Sequence, residues 1–224
     1  MITEENKNIS RQIPELTDSK GVAIATIIRC MKQAVLPFNN ARSQTNLLCT
    51  LNENQFTQIY VEQIGIQIKP YPIGVLNQYS DIFRGTKGFP DFYFYKMEEG
   101  VTHEPLFVVE SKRLTNSLPK SRKQEYVKGN NNNGGIERYK KEIHGNGLTE
   151  CGMLGFVEKE TFVFWIQKIN TWITDLSTLM PDTWKTDENL TEIENKESFM
   201  LLNSIAHRTS QQDICLHHLW INIQ

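Results

Sequence analysis

Apolar residues recur along the chain with two periods, and the changes between them mark out the elements. Val22, Ile24, Ala25, Ile27, Ile28 and Met31 share a helical face, which predicts a helix over about 20–35. A stronger helix opens at Glu53. Asn52 can cap it, Gln55 stands at the third helical position, and Phe56, Ile59, Tyr60 and Ile64 form one stripe. Residues Ile64–Ile68 then alternate apolar and polar and predict a strand. Residues 69–89 hold Pro70, Pro72 and glycines and predict a long loop. FYFY (92–95) and LFVV (106–109) are aromatic and β-branched runs parted by a glycine-containing segment, 96–105, which predicts a hairpin.

Further on, NNNNGG (130–135) predicts an exposed loop, followed by a helix through Ile136, Tyr139 and Ile143 that Gly145 ends. MLGFV (153–157) predicts a short buried strand, and FVFWIQKINTWITDL (162–176) a long amphipathic helix carrying Trp165 and Trp172 as core residues. Residues 181–197 predict a surface excursion, and 214–223 a terminal strand. The order is helix, three strands, helix, strand, with a helix and a strand appended. That is an α/β architecture: a mixed central sheet with helices on its faces.

Composition narrows the picture. The chain has 224 residues, 39% apolar and 22% charged, enough for a sizeable core, so disorder is excluded as its general state. Its net charge of −2 excludes a general coat of positive charge. The charge is uneven, however. Residues 111–141 carry nine Lys/Arg and two acids, a net of +7, and residues 175–198 carry seven acids and two lysines, a net of −5. The N-terminus MITEENKNIS has no apolar core of a secretory signal, and the apolar helical stretch Gly21–Ile28 is short of the roughly 20 residues that span a bilayer. These features predict a cytoplasmic chain with no membrane partner. Cys30, Cys49, Cys151 and Cys215 have no C-x-x-C spacing and predict small buried apolar residues rather than a zinc site. His217-His218 fall on opposite faces of a strand, which suits structural roles better than a shared ligand.

The candidate chemistry lies where acids interrupt the two central strands. Phe89-Pro90-Asp91 opens the first, and Val109-Glu110-Ser111-Lys112 closes the second. Alternate strand residues share a face, so Glu110 and Lys112 project together and Ser111 points away. If the two runs pair as a hairpin, Asp91 stands beside Glu110. Two half-buried carboxylates repel and lose solvation. A lysine offsets one charge, and a hard divalent cation, whose preferred ligands are carboxylates and water, offsets the rest. Such an ion polarises a phosphoryl oxygen and acidifies water. Glu53, at the start of the second helix, is a further candidate ligand, although the helix macrodipole alone also favours an acid there.

At these residues the chain resembles the PD-(D/E)XK nuclease superfamily, the restriction-endonuclease-like fold, over roughly residues 50–160. The match is Pro90-Asp91, an intervening hairpin and Glu110-Ser111-Lys112. GIERY, GMLGFV, FWIQKINTWI and LHHLW are similar to segments of uncharacterised bacterial members. The resemblance implies one nuclease domain over residues 1–224. Its αβββαβ core spans about 50–160, with an N-terminal helical addition (about 1–50) and a C-terminal helix-and-strand addition (about 161–224). It implies an endonuclease dependent on Mg²⁺, with Mn²⁺ as substitute, that hydrolyses phosphodiesters of nucleic acid, with DNA favoured and RNA left open. Asp91, Glu110 and Lys112 would be catalytic, and Asp91, Glu110 and Glu53 the metal ligands. Arg138, Lys140, Lys141 and Arg113 would contact nucleic acid from the basic segment that begins at Lys112. The setting implied is prokaryotic restriction or phage defence, with a homodimer or a partner protein as possible assemblies. The alternative is the effector, or an inactive nucleic-acid-binding subunit, of a larger complex.

Overall fold

A computed structural model describes residues 20–44, 51–80, 82–85, 88–119, 122–208 and 212–224. Residues 1–19, Cys49 and Lys120, which enter the sequence argument, lie outside the described residues. Three helices come first: α1 (Lys20–Gln33), α2 (Val35–Gln44) and α3 (Glu53–Ile68). Strands β1 (Ile73–Asn77), β2 (Phe92–Lys96) and β3 (Pro105–Leu114) follow, then α4 (Gly135–Lys140), β4 (Glu150–Val157) and α5 (Phe162–Leu179). Strands β5 (Thr191–Asn195), β6 (Phe199–Ala206) and β7 (Ile214–Asn222) end the chain.

The seven strands form one mixed sheet in the order β1-β2-β3-β4-β7-β6-β5. Strands β1, β2 and β3 are antiparallel neighbours. The chain then crosses through α4 to lay β4 parallel to β3, and β7 parallel to β4. Strands β6 and β5 complete the far side antiparallel. The two faces of the sheet are buried in separate cores. Ile27, Phe38, Tyr60 and Ile64 from α1–α3 pack with Phe92, Phe94, Phe107 and Val109 on one face. Ile136 and Tyr139 from α4, and Trp165, Ile169 and Ile173 from α5, pack with Val108, Met153 and Trp220 on the other. Burying each such side chain stabilises the fold by roughly 1.5–3 kcal/mol, so the central strands are the least dispensable part.

Helix α3 begins as its residues predict. Asn52 accepts the Gln55 N–H at 3.0 Å, and the Gln55 side chain accepts the Asn52 N–H at 2.9 Å. The predicted strand at Ile64–Ile68 is instead the last turn of this helix. Ile64 and Ile68 are four apart and both buried, while Ile66 between them is 63% exposed, which is the helical period. The first strand of the three lies in the predicted loop, as β1. The excursion 181–197 holds a 3₁₀ turn at Thr186–Glu188 and edge strand β5.

The run Lys20–Gln44 is longer than the stretch considered from sequence, and by length and composition it could cross a membrane. It is two helices, and Ile24, Ile27, Cys30, Met31, Val35 and Phe38 are buried against α3 and the sheet. Cys30 and Cys151 are buried free thiols, as expected, and Cys215 is half-buried.

Candidate active site at the open end of β3

The hairpin register fixes the site. Phe92 pairs with Val109, which is the last pairing of β2 with β3. Asp91 therefore stands beside Glu110, and β3 runs on to Leu114 without β2 along that side. The exposed N–H groups of the overhang are taken by carboxylates. Ser111 N–H donates to Asp91 Oδ2 at 2.6 Å, and Arg113 N–H donates to Glu53 Oε2 at 2.9 Å. Two acids from separate elements stand where a neighbouring strand would otherwise pair.

Glu110 is 1% exposed, and its two oxygens differ. Oε1 receives two cations: Lys112 Nζ at 2.7 Å and Arg138 Nη1 at 2.7 Å. Oε2 is buried without a hydrogen-bond partner, and His144 Nδ1 lies 3.2 Å from it outside hydrogen-bonding alignment. Lys112 Nζ also donates to its neighbour's carbonyl, Ser111 O, at 2.8 Å and stands 3.5 Å from Glu53 Oε1. Arg138 comes from α4, and its Nη2 is braced on Asn133 Oδ1 at 3.2 Å.

These contacts split the two carboxyls. Burial raises Asp91 from its ordinary 3.8 to about 7, Glu110 adds to that, and Lys112 and the Ser111 N–H offset only part. Burial also works to raise Glu110, but Lys112, His144 and Arg138 outweigh it and hold Glu110 at about 2. Burial disfavours the Lys112 ammonium, yet Glu110, Glu53 and Asp91 overcome it and push Lys112 above the usual lysine range. The lysine is a fixed positive charge, Glu110 a fixed negative one, and Asp91 is poised near neutrality.

Asp91, Glu110, Lys112, Glu53 and Arg138 thus come together, and Arg113 joins through its backbone. The Arg113 guanidinium turns away to a two-pronged pair with Glu158. Lys140 does not reach the site. It is buried, paired with Glu188, bonded to His207 O at 3.1 Å and set 4.7 Å over the Trp184 ring. Lys141 is exposed and pairs with Glu137 at 2.9 Å on its own helix. Carboxylates from outside the +7 segment thus reach four of its cations, Lys112 and Arg138 through Glu110, Arg113 through Glu158 and Lys140 through Glu188, so these four do not form an open basic surface.

Sequence reasoning passed over His144. It is 1% exposed, and its ring is fixed by Gly88, where a Cβ would lie 2.5 Å from His144 Cδ2 and 2.3 Å from Ile143 O. The segment leading into Phe89-Pro90-Asp91 thereby packs directly on the loop after α4. A lone histidine after a polar helix carries no sequence signal of this. The adjacent histidines behave as strand alternation requires. His218 is buried between Tyr126 Oη and Ser204 Oγ, each at 2.8 Å, and His217 pairs with Glu150 at 2.8 Å.

Among the described residues, no three His, Cys, Asp or Glu side chains are grouped so as to hold a metal ion. Asp91 and Glu110 nevertheless fit a hard cation as a donor pair, because Glu110 keeps one buried oxygen unpartnered and Asp91 is destabilised by its own charge. The chain matches no family model, no curated protein and no solved structure.

Proposed function

We propose that this chain is a divalent-cation-dependent nuclease of the restriction-endonuclease-like type, hydrolysing DNA phosphodiesters. The observation that carries the reading is the gathering of Asp91, Glu110 and Lys112 at one end of an antiparallel hairpin, with Glu53 beside them. The run α3-β1-β2-β3-α4-β4 supplies the αβββαβ order that the motif calls for. Asp91 and Glu110 would hold Mg²⁺ or Mn²⁺, with Glu53 contributing from the head of α3. When bound, such an ion supplies the Lewis acidity that polarises a phosphoryl oxygen and lowers the pKa of water.

The chain's own residues do the remainder. Lys112, held positive by three carboxylates, stabilises the negative charge that grows on the phosphorane and orients the attacking water. Arg138, a quarter exposed and adjacent to Glu110, is placed to take a phosphate oxygen of the scissile strand.

One observation favours a second reading, a non-catalytic nucleic-acid-binding subunit: Asp91 and Glu53 already have structural work, capping the N–H groups of β3. Incubating the purified chain with plasmid, linear and single-stranded DNA and with RNA, in Mg²⁺, Mn²⁺ or EDTA, separates the two. The nuclease cuts DNA only with metal, and Lys112→Ala keeps binding while losing turnover. Metal-independent binding with no cutting of any substrate supports the subunit instead.

A further inference from the structure

Arg138 and Lys112 converge on one oxygen, Glu110 Oε1, each at 2.7 Å. The two cations are not equivalent. The Lys112 side chain is 10% exposed and anchored to its neighbour's carbonyl, whereas the Arg138 side chain is 24% exposed and lies at the mouth of the site. With Asp91 ionised, Glu53, Asp91 and Glu110 carry −3 and Lys112 and Arg138 carry +2, a balance of −1. Without the Arg138 guanidinium the balance is −2, the charge that one divalent cation neutralises. The arginine thus fills the electrostatic place of the ion and occupies an oxygen of its ligand.

We propose that Arg138 is a latch that couples cation uptake to phosphodiester uptake. The inference rests on the nuclease reading of the site. In the free protein the guanidinium sits on Glu110 and weakens cation binding. An arriving phosphate offers a two-pronged partner that matches guanidinium geometry and lies on the solvent side. Arg138 leaves Glu110 for it, Glu110 keeps only Lys112 on Oε1 with Oε2 open, and the site deepens to −2. Coupling is reciprocal, so the cation strengthens the grip on nucleic acid by the same factor. The chain then loads its ion on its substrate and keeps little of it otherwise.

The test is calorimetric titration of Mg²⁺ into the full chain, alone and with a phosphorothioate duplex that resists cleavage. Arg138→Gln alone should bind Mg²⁺ about tenfold more tightly than the wild type, a modest share of what removing a full charge a few ångströms away can do. The duplex should tighten Mg²⁺ binding to the wild type by a similar factor and leave Arg138→Gln nearly unchanged. Asn133→Ala, which removes only the brace on Nη2, should shift affinity in the same direction by less. It stands in if Arg138→Gln does not fold. Equal or weaker Mg²⁺ binding by both variants, with binding still abolished by Glu110→Gln, overturns the latch and leaves the metal centre standing. Mg²⁺ binding indifferent to Glu110→Gln and Asp91→Asn overturns the metal centre, and the latch with it.

Discussion

Asp91→Asn asks whether the candidate site is strained by its own charge. An asparagine can still accept the Ser111 N–H that Asp91 Oδ2 accepts at 2.6 Å, so the cap on β3 survives and the negative charge is what goes. Burial, and then Glu110, raise the Asp91 carboxyl from 3.8 to about 7. A carboxyl raised in this way binds its proton more tightly in the folded protein than in the unfolded chain. Its favourable contribution is complete below pH 3.8, declines as pH rises, and is fully lost above about 7. At 1.36 kcal/mol per pH unit, the loss is at most about 4 kcal/mol at pH 8. Between pH 5 and pH 8 it grows by about 3 kcal/mol. The rest of the protein titrates alike in both proteins and cancels in the difference. Urea unfolding in EDTA should therefore show Asp91→Asn more stable than the wild type at pH 8, with a gap that narrows by about 3 kcal/mol at pH 5. Mg²⁺ should stabilise the wild type at pH 8 and not the variant. A variant less stable than the wild type at pH 8, or a gap that does not change with pH, refutes the reasoning and leaves Asp91 as a strand cap alone.

The partner carboxylate should behave in the opposite way. Glu110→Gln leaves Lys112 and Arg138 without their shared anion in a buried setting, and should cost about 3–5 kcal/mol of unfolding free energy in EDTA, measured by the same urea titration. Lys140→Ala strands the buried Glu188 and should destabilise by a similar amount while leaving affinity for duplex DNA, measured by fluorescence anisotropy, unchanged in the folded protein. His218 is held at about 3 by burial and then by His217, so the folded protein takes its proton less readily than the unfolded chain. Its stabilising effect is whole above about pH 6.5 and is lost at about 1.4 kcal/mol per unit as pH falls toward 3. A buried, uncharged replacement, His218→Gln, should flatten the acid limb of a stability–pH curve between pH 6.5 and 5.

How far the sequence discloses this protein depends on whether local pattern or distant contact decides each element. The hairpin pair, α5 and β7 carry dense single-period runs and are legible. So is the head of α3, because its cap is a local pair three residues apart. Strand β1 is not, since Gly74 and the flanking Pro70 and Pro72 read as loop and its paired residues on β2 lie 15 to 23 positions away. Helix α2 is obscured by Pro37 within its first turn, where a missing N–H costs nothing. Strand β5 is acidic and exposed, and pairing with β6 rather than propensity makes it a strand. The juxtaposition of Asp91, Glu110 and Lys112 follows from alternation and the hairpin. The fate of the basic segment does not, because Glu158 and Glu188 arrive from sequence positions 45 and 48 residues away to neutralise Arg113 and Lys140.

The overhang of β3 has a consequence for the stability of the sheet. Residues 110–114 run past the end of β2 with no strand on that side, the pattern on which a second strand can add, although Glu110, Ser111, Lys112 and Leu114 are buried. Asp91 and Glu53 occupy the N–H groups that such a strand would use, and they do so with negative charge that repels an incoming carbonyl. The acids that make the site costly to ionise thus also close the side of β3 that β2 leaves unpaired. Removing both carboxylates would leave the Ser111 and Arg113 N–H groups of that side without partners, a cost to stability separate from any loss of chemistry.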